Sequence, residues 1–147
     1  MSSPARIGEG QRPLRVALLV DRLGNEYTDA AFAEVIAAAR EQGVGVICFA
    51  GGRLMPDDLI HNRRFALDLA NPKTVDAVLV LPLGGHIGSE DLASFCHRYE
   101  PMPICSIAVP WTTYPSVVIE NDTGLRQATR HLVEAHERRR IAFICGP

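Results

Sequence analysis

The sequence predicts an α/β protein built on a doubly wound parallel sheet. Short, continuous apolar runs rich in Val, Ile and Leu recur along the chain, as expected for strands that are covered on both faces. Segments with apolar residues at helical spacing alternate with these runs. Because the connections are short, successive parallel strands require right-handed crossovers, which place helices on both faces of the sheet.

Apolar, β-branched runs predict the strands of this sheet. They are VALLV (16–20), VGVICFA (44–50), DAVLVLP (76–82), PICSIAV (103–109) and SVVIE (116–120). The first run ends at Asp21 and the second at Gly51-Gly52, so we expect loops to begin there. A further apolar run, RIAFIC (140–145), predicts another strand near the end of the sequence.

Amphipathic helices are predicted between the strands, where apolar residues recur three and four positions apart. The predicted helices are 28–42, about 56–69, 89–99 and one that begins near residue 121. Thr28 is the expected cap of the first helix, and Gly43 stands at its expected end. Asn121 or Asp122 is the expected cap of the last helix.

Composition limits the functional classes. A chain of 147 residues that is 47% hydrophobic is long enough for one packed domain, or for one domain with part of a second. Its net charge of -2 provides no basic surface for nucleic acid or anionic membrane, and no apolar run reaches the length of a membrane span. The cysteines are spread singly, and the leader lacks a signal-peptide pattern. We therefore expect a cytoplasmic protein without metal or cofactor.

Function in a doubly wound sheet is expected in the loops at the carboxyl ends of the strands. Those loops are 21–27, 51–55, 82–88 and 110–115. The third loop, PLGGHIG, lacks the lysine and the spacing of a phosphate-binding loop. No GxSxG nucleophile motif occurs, and the spacing of His131 and His136 does not fit a metal pair on one helix. His86 is either a donor to a polar ligand or an exposed loop residue without a role.

The segment SVVIENDTGLRQATRHLVEAHERRRIAFICGP (116–147) carries the most specific resemblance in the chain. Together with VALLVDRLGNEYTDAAFAEVIAAAREQGV and VDAVLVLP, it resembles the effector-binding core of the LacI/GalR family, which has the type I periplasmic-binding-protein-like fold. The matching residues are Asn121, Asp122, Gly124, His131, Leu132, Arg139, Arg140, Ile141, Gly146 and Pro147. Glu137 stands where a glycine is usual in that family.

The resemblance covers about residues 14–147 and implies two lobes that close on a ligand. Residues 15–119 then form the first lobe, 120–147 form the first α/β unit of an incomplete second lobe, and 1–14 form a disordered leader. The implied function is non-enzymatic sensing of a small polar effector by a homodimer, in a transcriptional regulator or in a fused signalling protein. DNA is then bound only through a separate helix-turn-helix that is not present in this chain.

By position in the resemblance, several residues are candidate ligand contacts. They are Asp21, Asn25, Glu26, Tyr27, Gly51, Gly84, His86, Trp111 and Asp122. Asp21 either contacts ligand or orients the first loop, and Trp111 either stacks on a sugar or other ring or anchors its loop. After the fourth strand the family often has an acidic residue for sugar hydroxyls, whereas this chain has Ala108-Val109-Pro110. This departure weakens the case for a sugar among the small polar ligands that the resemblance implies.

Two other functions are compatible with the sequence. An incomplete second lobe would expose apolar surface, so a self-associating α/β interaction module is one alternative. A small α/β enzyme that uses His86 or Asp21 is the other, although the sequence offers no nucleophile–base pair and no metal cluster for it.

Overall fold

The computed structural model describes residues 12–52, 65–81, 83 and 89–144. The strands within these ranges are β1 (Arg15–Val20), β2 (Gly45–Ala50), β3 (Ala77–Val80), β4 (Ile104–Ile107) and β5 (Ser116–Val117). They form one parallel sheet in the order β2-β1-β3-β4-β5. The helices are α1 (Glu26–Glu41), α2 (Phe65–Asp68), α3 (Ser89–Cys96) and α4 (Asn121–Glu134), and a 3-10 turn at His97–Tyr99 continues α3. The predicted α/β class with a parallel sheet is confirmed.

Side chains of β1 alternate between two apolar clusters, one on each face of the sheet. Ala17 and Leu19 belong to the cluster against α2 and α3, whereas Leu18 and Val20 belong to the cluster against α1. All of them are fully buried, because β1 has a strand on each side and helices on both faces. Because these four consecutive residues are fully buried, β1 is the centre of the core. Burying a leucine contributes roughly 1.5 to 3 kcal/mol to stability.

α1 begins earlier than predicted, and its cap differs from the predicted one. Asn25 caps the helix: its side-chain oxygen accepts a hydrogen bond of 2.9 Å from the main-chain nitrogen of Thr28. Thr28, the expected cap, is instead the third residue of the helix and is buried. Both residue types are good caps, and the extended backbone of Asn25 (φ -122°, ψ 147°) is what assigns the role to it.

α2 and α3, on the face of the sheet opposite α1, are joined by a hydrogen bond. The predicted helix over 56–69 is present as α2 where the structure describes it, and residues 53–64 lie outside the described ranges. α3 begins at Ser89 as predicted, and its last turn is 3-10. The hydroxyl of Tyr99 in that turn donates a hydrogen bond of 3.2 Å to the carbonyl oxygen of Leu67 in α2, which fastens α3 to α2.

The sheet ends earlier than the sequence predicts. Residues 118–120, predicted as strand, follow β5 outside the sheet. Residues 140–144 of RIAFIC form no strand, and Ile144 is 94% exposed. A strand is stabilised by main-chain hydrogen bonds to a neighbouring strand, and none of the described strands pairs with these residues. The strand predicted at 140–145 is therefore wrong over its described part.

α4 begins where predicted but without a side-chain cap. Its N-cap position is Glu120, which makes no capping hydrogen bond, and the expected caps Asn121 and Asp122 are its first two residues. Every residue of α4 is exposed. No helix in the described part of the chain is long and apolar enough to cross a membrane.

Candidate ligand-binding surface at the carboxyl ends of the strands

The parallel strands bring their carboxyl ends to one edge of the sheet, where ligands bind in open α/β folds. Asp21 follows β1 at this edge, and Gly51 follows β2. Gly51 N donates a hydrogen bond to Val20 O (3.0 Å), and Gly52 N donates to Asp21 O (2.8 Å). The first two predicted ligand loops therefore start side by side.

The Asn25 side chain uses both of its polar atoms in hydrogen bonds to Thr28 that define the first loop. Its Oδ1 accepts from Thr28 N (2.9 Å), and its Nδ2 donates to Thr28 Oγ1 (2.8 Å). Asp29 Oδ1 accepts from Gly24 N (2.9 Å), which closes the turn in front of α1. Glu26, in the same first turn, is exposed. Asn25 thus positions this loop, and Glu26 is the loop's accessible carboxylate.

Gly51 is required by packing against the core beneath the edge. A Cβ atom at this position would overlap the side chain of Leu67, with its two methyl carbons 2.6 and 2.7 Å away. Leu67 is fully buried in α2, so a larger residue fits only if the Leu67 side chain or α2 itself shifts within the packed core. The position at the end of β2 is therefore fixed by α2 as well as by the sheet.

Trp111 anchors the loop between β4 and β5 on the α3 side of the sheet. Its ring meets Tyr114 edge-on with 5.7 Å between centroids, and its main-chain nitrogen donates to Ser116 Oγ (2.9 Å). The indole is half-buried against the core cluster of that face. Its Nε1 is buried and finds no hydrogen-bond partner among the described residues. Trp111 also borders a polar groove of about 310 Å³ between α3 and residues 110–113, which we call the α3 groove.

Tyr27 lies on the opposite face of the sheet from Trp111. It borders an apolar groove of about 300 Å³ between α1 and residues 107–108 and 117–119, which we call the α1 groove. The sheet separates the α1 groove from the α3 groove. The structure therefore does not bring these two predicted aromatic contacts together.

A cluster of His97, Glu100 and Tyr114 lies beside Trp111 and has no counterpart among the predicted sites. The Tyr114 hydroxyl donates to Glu100 Oε1 (2.8 Å) and lies 2.9 Å from His97 Nδ1, which is 3.0 Å from the same carboxylate oxygen. Hydrogen bonds from His97 and Tyr114 lower the pKa of Glu100, whereas burial and the bond to Glu100 raise the pKa of Tyr114 to about 12. Since His97 and Tyr114 are 17 positions apart, no local pattern indicates the cluster.

Of the three remaining predicted ligand contacts, one lies on an exposed helix and two lie outside the described residues. Asp122 is exposed near the start of α4, and Gly84 and His86 lie outside the described ranges. Within those ranges, no group of three or more His, Cys, Asp or Glu side chains is placed to hold a metal ion. The carboxylates and main-chain groups of the described part of the edge are able to form hydrogen bonds with a ligand.

The described cysteines next to these sites are poorly reactive. Burial raises the pKa of Cys96 to about 12 and also raises the pKa of Cys48. Both thiols are therefore protonated near neutral pH, and a thiol is a much weaker nucleophile than a thiolate.

Comparisons with known proteins identify structures of similar fold. No protein-family model matches the chain, and no curated protein matches it significantly. The Escherichia coli transcriptional repressor AscG superposes with a TM-score of 0.61 at 16% identity, over 83% of this chain and 43% of that one. The trehalose repressor of Escherichia coli gives 0.59 at 16% identity, over 84% and 44%. A putative LacI-family transcriptional regulator from Sanguibacter keddieii gives 0.53 at 22% identity, over 82% and 38%.

These likenesses concern the fold, because the identities are at most 22%. The chain spans about two fifths of the length of each of these structures. Their common architecture agrees with the parallel sheet described above and with the resemblance found in the sequence. The chain thus has the periplasmic-binding-protein-like α/β fold of LacI-family transcriptional regulators, over part of their length.

Proposed function

We propose that the chain is a ligand-binding regulatory lobe, which binds a small polar molecule at the carboxyl edge of its sheet. The proposal rests on the fold shared with three transcriptional regulators over 82–84% of this chain. The role is regulatory and not enzymatic: the edge residues hold a ligand, and the bound state biases a partner domain. That partner is a DNA-binding head or a signalling domain of the same cytoplasmic protein.

The groups at the edge suit a ligand with hydroxyl or amino groups. Asp21 and Glu26 supply carboxylates that accept hydrogen bonds, and a hydrogen bond to a charged group contributes about 1.5 to 3 kcal/mol. One structure of the same fold is a trehalose repressor. Sugar-like molecules are therefore the first class of ligand to test.

The proposed mechanism is closure of two lobes on the ligand. Residues 15–119 form the first lobe, and residues 120–147 begin the second, with Asp122 as a contact from that side. A ligand that binds the closed arrangement more tightly than the open one shifts the population towards closure. The functional unit is a homodimer, and DNA contacts only a separate helix-turn-helix.

Two glutamates of α1 provide a matched test. Glu26 is in the first turn at the carboxyl edge, and Glu41 is the last residue, about 22 Å further along the helix axis. Ligands are screened by thermal shift on the 147-residue chain, starting with mono- and disaccharides, and affinities are measured by calorimetry. We expect Glu26→Gln to weaken binding by roughly ten- to a hundredfold and Glu41→Gln to leave it unchanged.

The outcomes of this test separate the proposals. A ligand that binds all three proteins equally makes no contact with Glu26, which contradicts the proposed role of that carboxylate. If no ligand of any class binds and the protein instead self-associates, the second candidate function replaces the first.

That second candidate is a self-associating interaction module, and a set of exposed apolar residues favours it. They are Val117, Val118, Ile119, Leu125, Leu132, Val133, Ile141, Phe143 and Ile144. Three of them, at 117–119, border the α1 groove, so apolar surface is continuous there. In sedimentation velocity at increasing concentration, we expect Ile119→Lys to remove self-association and Thr112→Lys, at the α3 groove, to retain it.

A further inference from the structure

Two exposed histidines meet at the end of α4. His131 Nε2 and His136 Nε2 are 3.1 Å apart, and the imidazole rings are nearly perpendicular, with 4.8 Å between centroids and 85° between planes. Both residues are exposed, so solvent and dissolved ions have access to them. Neither belongs to the ligand-binding surface proposed above.

The meeting of the two rings is a product of the turn that ends the helix. On a continuous helix, residues five positions apart point about 140° away from each other. α4 ends at Glu134, and the chain then folds back, with Arg138 N donating to Leu132 O (3.0 Å). Glu137 has a φ of 52°, the left-handed conformation that commonly ends helices. This reversal returns His136 to His131, so the helical spacing rule that excludes the pair does not apply.

The separation of the two nitrogens matches that of two ligands on one metal ion. Imidazole nitrogens bind zinc at about 2.0 to 2.1 Å, so two of them on one ion lie about 2.9 Å apart at a right angle and about 3.4 Å apart at a tetrahedral angle. The observed 3.1 Å lies between these limits. We propose that His131 and His136 form a binding site for a divalent transition-metal ion of the zinc, nickel and copper class.

The ligand set defines what the site accepts. Neutral imidazole favours zinc, nickel and copper, whereas magnesium and calcium require oxygen ligands. No third His, Cys, Asp or Glu of the described ranges joins the pair, so water fills the other coordination positions. An ion held by one residue of α4 and one residue of the turn fastens the two together. Metal binding therefore fixes the direction in which residues 137–144 leave the helix.

The test uses zinc as the probe and the full chain without a polyhistidine tag. Isothermal titration calorimetry compares the wild type with His131→Gln, His136→Gln and the double variant. We expect one zinc site, at least tenfold weaker binding in either single variant, and no further loss in the double variant, because both histidines hold one ion. Copper is expected to bind more tightly than zinc at the same site.

His97→Gln is the matched control, because His97 hydrogen-bonds to Glu100 and Tyr114 in another part of the fold. His61 and His86 are unchanged in every variant, so any binding to them is common to all. Glu137→Gly keeps the left-handed turn and is expected to bind zinc as the wild type does. Zinc should also shift the Nε2 resonances of His131 and His136 in 15N spectra and leave those of His97 in place.

A simple Nε2–H···Nε2 hydrogen bond between the two rings gives the same separation without metal. Under that alternative, zinc affinity is the same in the wild type and in both single variants, and the Nε2 resonances do not move. Either result overturns the proposal.

Discussion

The body of the protein, residues 12–117, and the segment that follows it, residues 118–144, contrast in burial. In the described part of the body, the buried apolar side chains form two clusters, one on each face of the sheet. In the segment every residue is exposed, including all fourteen residues of α4. An isolated helix of that length is only marginally stable in water. The body is therefore held by tertiary packing, whereas the segment depends on local interactions and on what binds to it.

The two regions contain the same backbone feature in different settings. Ala108 in the body has a φ of 72°, and Glu137 in the segment has a φ of 52°, a region that favours glycine. Ala108 is held by a hydrogen bond from its nitrogen to Val117 O (2.7 Å), which extends the β4–β5 pairing. Glu137 stands where the LacI/GalR resemblance has glycine, so the backbone there keeps the conformation that glycine would favour.

The largest expected loss of stability comes from truncating a side chain in the core of the body. Leu19→Ala removes a fully buried side chain of β1 and should lower the free energy of unfolding by about 2 to 5 kcal/mol. Leu132→Ala removes a side chain of α4 that is 38% exposed and should cost less than about 1 kcal/mol. Urea unfolding followed by the fluorescence of Trp111, the single tryptophan, measures both. A cost for Leu132→Ala as large as that for Leu19→Ala would mean that α4 is packed in solution, through self-association.

Two glycines provide the next contrast, with opposite signs. Gly51→Ala forces a methyl group onto Leu67 and should destabilise the body by about 1 to 3 kcal/mol. An added Cβ at Gly124, in the first turn of α4, meets nothing within 4 Å, so Gly124→Ala should stabilise that helix by up to about 1 kcal/mol. Thermal unfolding reports the first change and helical circular dichroism reports the second. A Gly51→Ala protein as stable as the wild type would show that the Leu67 side chain or α2 shifts freely away from β2.

The smallest expected effect is a pH dependence confined to the body. The pKa of Tyr114 is raised from 10.0 to about 12 in the folded protein, so its contribution to stability is complete below pH 10 and is lost as the pH rises through 12. Tyr114→Phe lacks this contribution. The free energy of unfolding of the wild type should therefore fall towards that of the variant as the pH rises from 10 to 12. Denaturant unfolding at a series of alkaline pH values measures the difference. A difference that stays constant from pH 9 to pH 12 would contradict the assigned cause.

Local sequence patterns predicted more of the fold than of the candidate site. The strands near 16–20, 44–50, 76–82 and 103–109 and the helix that follows the first of them are present, with ends shifted by at most two residues. The cap of α1 was assigned to the wrong residue, because Asn25 and Thr28 are equally good capping types and only the backbone distinguishes them. For the site, the adjacency of Asp21 and Gly51 follows from parallel pairing of β1 and β2. The separation of Tyr27 from Trp111 does not follow from it, since it depends on which face each loop packs against.

The amino-acid sequence specifies the periodicities: apolar runs for buried strands, helical spacing for α1 and α4, and with them an α/β class with a parallel sheet. These are properties of neighbours along the chain, and they are decided by side-chain size and backbone preference. The tertiary structure determines which residues far apart in the sequence meet, as His97 meets Tyr114, and how the turn after α4 brings His136 to His131. It also decided that 140–144 is not a strand, because an apolar run becomes a strand only beside a partner that offers main-chain hydrogen bonds.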